Sequence, residues 1–236
     1  MAENQENKQA KATLLKALKD PYYQFRILAL QRINFNNNNK KALAILEDLA
    51  LNDSKTLVQA TAVNVFRKLD KIDSYTSIFE QGIQSPSYAV KVNSLLGLYK
   101  INKVQALQAI KTLNKEDSDY LAPQLAIIYV ESNDESQMSN IAKGLFQSVF
   151  KNNPTEEDQQ NFMKTFAWIA SSNNEEAYSF FVTDAVSKGK RYKKYGVDQL
   201  SIGLLSQMIQ MQKATSNTNK DVLLAIVKNG LAELVE

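Results

Sequence analysis

The sequence predicts an all-α protein, a solenoid of about six stacked helix pairs, on three observations. First, the stretch Asp20-Pro21-Tyr22-Tyr23-Gln24-Phe25-Arg26-Ile27-Leu28-Ala29-Leu30 comes back. It returns 33 residues later as Asp53-Ser54-Lys55-Thr56-Leu57-Val58-Gln59-Ala60-Thr61-Ala62-Val63, and 32 after that as Ser85-Pro86-Ser87-Tyr88-Ala89-Val90-Lys91-Val92-Asn93-Ser94-Leu95. Such a period marks a helix-turn-helix unit that cannot bury its own apolar face and stacks on the next. Second, the 236 residues include only seven Gly and four Pro, too few for the frequent turns of a β-sandwich or barrel. Third, apolar spacing is helical: Val58, Ala62, Val65, Phe66 and Leu69 form one stripe of a helix.

Within each copy the slots explain one another. A turn former opens it (Asp20-Pro21, Asp53-Ser54, Ser85-Pro86) and can cap the free N–H groups, while Pro suits the first helical position. An apolar slot follows (Phe25, Val58, Val90), then a polar one (Arg26, Gln59, Lys91). A small residue comes next (Ala29, Ala62, Ser94), between large apolar side chains, and lets neighbouring helices approach to about 8–10 Å. The polar slot faces away from the apolar stripe. Stacked in register, Arg26, Gln59 and Lys91 should form a ladder on one surface.

The elements follow in order. The first eight residues read as frayed or cut from something longer. Leu14, Leu15 and Leu18 predict a short helix ended by Asp20-Pro21, and a second helix runs from Pro21 to about Ile33. The Asn34–Asn39 run reads as a solvated turn. Residues 40–51 and 55–69 make one pair, 73–83 and 87–101 the next, and 103–113 and 118–131 a fainter fourth copy with Ala126 in the small slot. Pro123 should kink that last helix or delay its start. Met138 to Phe150 keeps helical spacing, with Phe146 and Phe150 on its buried face and Lys143 and Gln147 in solvent. Pro154-Thr155-Glu156-Glu157-Asp158 reads as a fresh N-terminus, its acids favoured by the helix dipole. Helices over 174–187, 197–212 and 221–234 complete about thirteen. The chain reads as one domain, with clear repeats over 14–130 and drifting, capping helices over 131–236.

Composition narrows the chemistry. There are 28 basic and 25 acidic side chains, a net charge of +3, too slight to imply a nucleic-acid partner. With no Cys and no His, disulfides, thiolate nucleophiles, the usual zinc sites and Ser-His-Asp catalysis are excluded. No apolar run approaches a membrane span, and the polar start Met1 to Lys8 lacks the apolar stretch of a signal peptide. The compartment stays open.

Few constellations could carry function. Lys188, Lys190, Arg191, Lys193 and Lys194, interleaved with Tyr192 and Tyr195, could grip phosphates and stack bases; a solvated loop between two helices is the simpler reading. Trp168, in the apolar run Phe162, Phe166 and Ile169, reads as core. The acids Glu156-Glu157-Asp158 and Glu175-Glu176 sit at predicted helix starts, where the dipole accounts for them. The seven glycines form no phosphate-binding or nucleophile-elbow spacing. No active site is expected.

With the slots laid out, D-P-x-x-x-[FV]-[RK]-x-x-A-L resembles HEAT-type repeats, which implies a HEAT-like or armadillo-like right-handed solenoid. ALKDPYYQFRILAL, AILEDLALNDSKTLVQATAV and IFEQGIQSPSYAVKVNSLLGL further resemble the C-terminal helical domain of bacterial zinc aminopeptidases of the aminopeptidase N type. The resemblance implies a separated part of a larger peptidase, non-catalytic itself, that folds over the catalytic cleft and offers a concave surface to peptides. Its partners would be the catalytic domain of the same polypeptide and peptide substrates, with zinc held in that domain and none here. Arg26, Gln59 and Lys91 would line the concavity. The departure is plain: H-E-x-x-H and the G-x-M-E-N loop are both missing, so no catalytic or zinc-binding residue carries over. Two other readings stand beside it. One is a free-standing HEAT scaffold that binds a protein along its concave face. The other is a HEAT-like DNA glycosylase, which would need an acidic residue beside aromatics in a basic groove.

Overall fold

The computed structural model describes residues 8–37, 39–150 and 153–235, and among these it contains fourteen α-helices, five short 3-10 turns and no strand. The protein is all-α. The frayed start expected at residues 1–7 and position 38 of the Asn run lie outside the described residues. The helices gather into two compact units, Met1–Asn114 and Lys115–Glu236, inside the stretch that reads in sequence as one repeat domain.

The first unit holds α1 (Lys8–Ala17), α2 (Tyr23–Arg32), α3 (Lys40–Asn52), α4 (Thr56–Phe66), α5 (Thr76–Ile83), α6 (Tyr88–Ile101) and α7 (Lys103–Lys111). α1, α3 and α5 each pack on the even helix that follows, α7 packs on α6, and the even helices pack side by side, α2 on α4 and α4 on α6. The small slots sit in the core: Ala29, Ala62 and Ser94 are fully buried among Leu30, Leu46, Phe66, Phe79 and Leu95. The closest crossing joins α5 and α6, where a Cβ on Gly82 would lie 2.0 Å from Ser94 Oγ and one on Gly97 2.2 Å from the Phe79 ring. Ala62→Leu is therefore expected to overpack the core by about 1–3 kcal/mol. An unchanged melting temperature would mean that the register is wrong.

Asparagines do much of the local work in this unit. Asn39 caps α3 by accepting from the Lys41 and Ala42 N–H groups, and Asn102 caps α7 through the Gln105 N–H. Asn36 makes a reciprocal pair with Asp70, donating to its carboxylate at 3.2 Å and accepting from its N–H at 3.0 Å. The run expected to be a solvated turn thus ties two turns together.

The second unit holds α8 (Lys115–Leu121), α9 (Ala126–Ser132), α10 (Met138–Leu145), α11 (Glu156–Ala170), α12 (Glu175–Arg191), α13 (Val197–Lys213) and α14 (Lys220–Val235). Here α10 packs on α12 and α12 on α14, with α9, α11 and α13 following one another alongside. Pro123 does more than kink its helix. It divides the expected 118–131 helix into α8 and α9, and its ring lies so close to α10 that a Cβ on Gly144 would approach it to 2.7 Å. Phe146 is buried against Phe181, which in turn meets Phe166. Phe150 is only half-buried, because the chain tightens to a 3-10 turn over Phe146–Phe150 and ends the expected helical face early. Lys143 and Gln147 are exposed as expected.

At Thr155 the expected N-terminus forms a capping box: Thr155 accepts from the Asp158 N–H, and Asp158 accepts from the Thr155 N–H. Thr155→Ala should cost about 1 kcal/mol. Urea unfolding followed at α11 measures it, and no shift in midpoint would show the cap to be idle.

Candidate interaction surface

The polar ladder does not stand open on a surface. Arg26 is buried at 8% exposure, correcting its expected outward orientation. Its Nε and Nη2 donate to the two carboxylate oxygens of Asp53 at 2.7 and 2.8 Å, while Nη1 donates to the carbonyls of Asp20 and Pro21. A planar guanidinium satisfies a carboxylate and two turn carbonyls at once, which is what its buried charge requires. Gln59 repeats part of this one copy later: it is half-buried and donates to the Asp53 carbonyl at 2.8 Å. Lys91 is half-buried, its ammonium 5.8 Å from the Tyr88 ring centre. Two of the three ladder positions thus bind their own turns.

The neighbouring slot is the reverse. Val58 and Val90 are buried, but Phe25, at the same position of the first copy, is 50% exposed. Beside it Tyr22 and Leu28 are 51% and 41% exposed. The Tyr22 and Phe25 rings meet edge to face at 5.7 Å. Among the described residues α2 packs chiefly on α1 and α4, and Phe25 stays exposed where Val58 and Val90 are buried. Leu57, on α4, is also exposed. This apolar strip was not legible in sequence because Phe25, at its centre, fills a slot that reads as core.

Charge is distributed unevenly. Residues 1–114 hold sixteen Lys and Arg against nine Asp and Glu, and residues 115–236 hold twelve against sixteen. Within the first unit α1, α2, α4 and α6 contain no acidic residue at all. Lys11, Lys16 and Lys19 are exposed on α1 and the turn into α2. Asp20, the one acid nearby, accepts from the Tyr22 N–H at 2.8 Å.

A shallow groove of about 380 Å³ lies across the C-terminal ends of α2 and α4, lined by Gln31, Ile33, Asn34, Asn64, Lys68 and Leu69 among others. A second, of about 430 Å³, runs between α12 and α14, lined by Ser179, Thr183, Ser187 and Asn229 with Lys190 and Glu233. Both are open troughs of mixed lining, the second also bordered by Val182, Val186 and Ile226, and the titratable pair there, Lys190 and Glu233, is joined as an ion pair.

The basic run is not a loop. Lys188, Lys190 and Arg191 belong to the last turns of α12, where cations suit the negative end of the helix dipole. Lys188 pairs with Asp184 at 2.7 Å and Lys190 with Glu233 at 2.9 Å. Lys193 and Lys194 lie on the 3-10 turn after it, exposed beside Tyr195. Trp168 is half-buried rather than in the core, its indole N–H donating to the Asn133 side chain at 3.3 Å.

Perturbed groups have structural causes. The Lys115 hydrogen bond holds the Asp119 carboxyl below its usual range. Burial raises the Tyr129 and Tyr178 phenols, and Tyr178 donates to the Ala170 carbonyl. Among the described residues no three Asp or Glu gather as a metal group, and no helix is long and apolar enough to cross a membrane. No family model, curated protein or solved structure matches the chain.

Proposed function

We propose that the chain is a HEAT-like, right-handed helical solenoid that works as a protein-binding scaffold and carries out no chemistry itself. Recurring slots and the sequential packing of α2, α4 and α6 support the architecture. The observation that carries the function is the uncovered strip of Tyr22, Phe25 and Leu28. Exposed apolar side chains clustered along one helix mark interaction sites, and here two of the three side chains, Tyr22 and Phe25, meet directly. The three stretches that resemble the aminopeptidase N helical domain favour a second reading, in which the partner is a catalytic domain bearing H-E-x-x-H. In that setting the strip seats the domain, and Arg26 keeps its structural role.

Site-specific photo-crosslinking tests this. A benzophenone side chain at Leu28 should capture a defined protein in source cells, whereas one at the exposed Lys228 should not. The purified partner should then bind the chain and be lost on Phe25→Glu. Capture of nothing specific at position 28, or binding indifferent to Phe25→Glu, would end the proposal. A captured polypeptide carrying H-E-x-x-H would decide for the peptidase setting. The isolated chain, lacking His and Cys, is expected to retain no zinc after dialysis and to leave aminoacyl anilides uncleaved. Metal analysis and a chromogenic assay read both.

A further inference from the structure

Resting on the scaffold reading, we infer that the open side of α2 takes an acidic amphipathic helix of the partner protein. The shape argument comes from the repeat. The slot that is bare at Phe25 is buried at Val58 and Val90, in helices that each pack beside an earlier even helix. The occupant that restores the pattern is therefore another helix, presenting apolar residues at i, i+3, i+4 and i+7 to Tyr22, Phe25 and Leu28.

Charge selects the kind of helix. The elements that lead into the strip carry the exposed Lys11 and Lys16 on α1 and Lys19 in the turn before α2, and neither α1 nor α2 carries an acid. Arg26 adds no free charge, since Asp53 neutralises it. Asp20 is the one acid in this stretch, and its carboxylate is already engaged by the Tyr22 N–H. A partner helix with Lys or Arg on its flanks would meet mainly like charge, and one with Glu or Asp mainly complementary charge. Aromatic side chains ringed by cations also fit single-stranded nucleic acid, but here Tyr22 and Phe25 stand edge to face rather than as parallel platforms. The helix is favoured.

The probe is a synthetic 15-residue peptide with Leu at i, i+3, i+4 and i+7 and Glu elsewhere. Its mirror in charge has Lys for Glu, and a 15-nucleotide single strand is the third arm. Binding to the full chain is followed by fluorescence anisotropy at physiological salt. The Glu peptide should bind at least about tenfold more tightly than the Lys peptide, a difference of about 1.4 kcal/mol. Phe25→Asp should weaken it by about tenfold or more, as expected for a central aromatic anchor. Lys16→Glu with Lys19→Glu should weaken it less and flatten its salt dependence. These exposed positions leave the fold intact, which far-ultraviolet dichroism verifies. Equal binding of both peptides, no binding of the Glu peptide, or a single strand that binds more tightly and competes for Phe25 would each overturn the inference. The crosslinking outcome is independent: a partner captured at Leu28 through a basic or non-helical segment would keep the scaffold and remove the acidic helix.

Discussion

Arg26→Ala is expected to destabilise the first unit by about 3–5 kcal/mol, the cost of leaving one partner of a buried ion pair uncompensated. The Arg26 and Asp53 side chains are only 10% and 4% exposed, so little solvent screens the pair. Removing the guanidinium also takes the shared donor from the Asp20 and Pro21 carbonyls. Arg26→Lys should recover only part of the loss, because an ammonium cannot fork across both carboxylate oxygens. The pair is formed between α2 and the turn that opens α4, so hydrogen exchange should accelerate in both helices. An unchanged urea midpoint for Arg26→Ala would show that the pair contributes nothing. A loss confined to α2 would show that it does not join the copies.

Phe181→Ala should cost the second unit about 3–5 kcal/mol. Phe181 is fully buried on α12, with its ring 6.0 Å from Phe146 and 5.4 Å from Phe166. It therefore links α12 to α11 and to the end of α10 in one aromatic cluster, and truncation leaves a cavity that three helices must close. Phe150→Ala, at the half-buried edge of the same cluster, should cost much less. Comparable losses from the two substitutions, measured by denaturant unfolding, would mean that the cluster is not centred on Phe181.

Helix positions were largely legible, since they follow from apolar spacing and turn residues within a dozen positions of one another. The helix starts read at Thr155 and Asn174 fall on residues that cap α11 and α12, Asn174 by accepting from the Ala177 N–H, whereas the cap at Asn39 lay hidden in a run that reads as a solvated turn. What could not be read was decided by partners distant in sequence. Arg26 follows an apolar slot and so looks outward, yet Asp53, 27 residues on, draws it in. Phe25 looks like core because its counterparts Val58 and Val90 are core, yet the packing of α2 leaves it 50% exposed. Trp168 sits in an apolar run, but the Asn133 side chain, 35 residues away, holds its N–H at the surface. At Lys188 to Arg191 the error was local. Three basic residues in four suggested a loop, although the last turn of a helix welcomes them.

The crossing of α5 and α6 has an evolutionary consequence. A methyl at Gly82 would lie 2.0 Å from the Ser94 hydroxyl and 3.1 Å from the Ser94 Cβ, and that hydroxyl is buried without a hydrogen-bond partner. The two positions are therefore coupled. A descendant gains alanine at 82 most readily after losing the hydroxyl at 94, since the reverse order forces that hydroxyl to turn within a packed crossing. Ser94→Ala relieves a buried polar group and opens that route, which makes it the permissive step. Among natural variants of this chain, residues 82 and 94 should change size in opposite directions, the larger side chain appearing on one helix only where the other has become smaller.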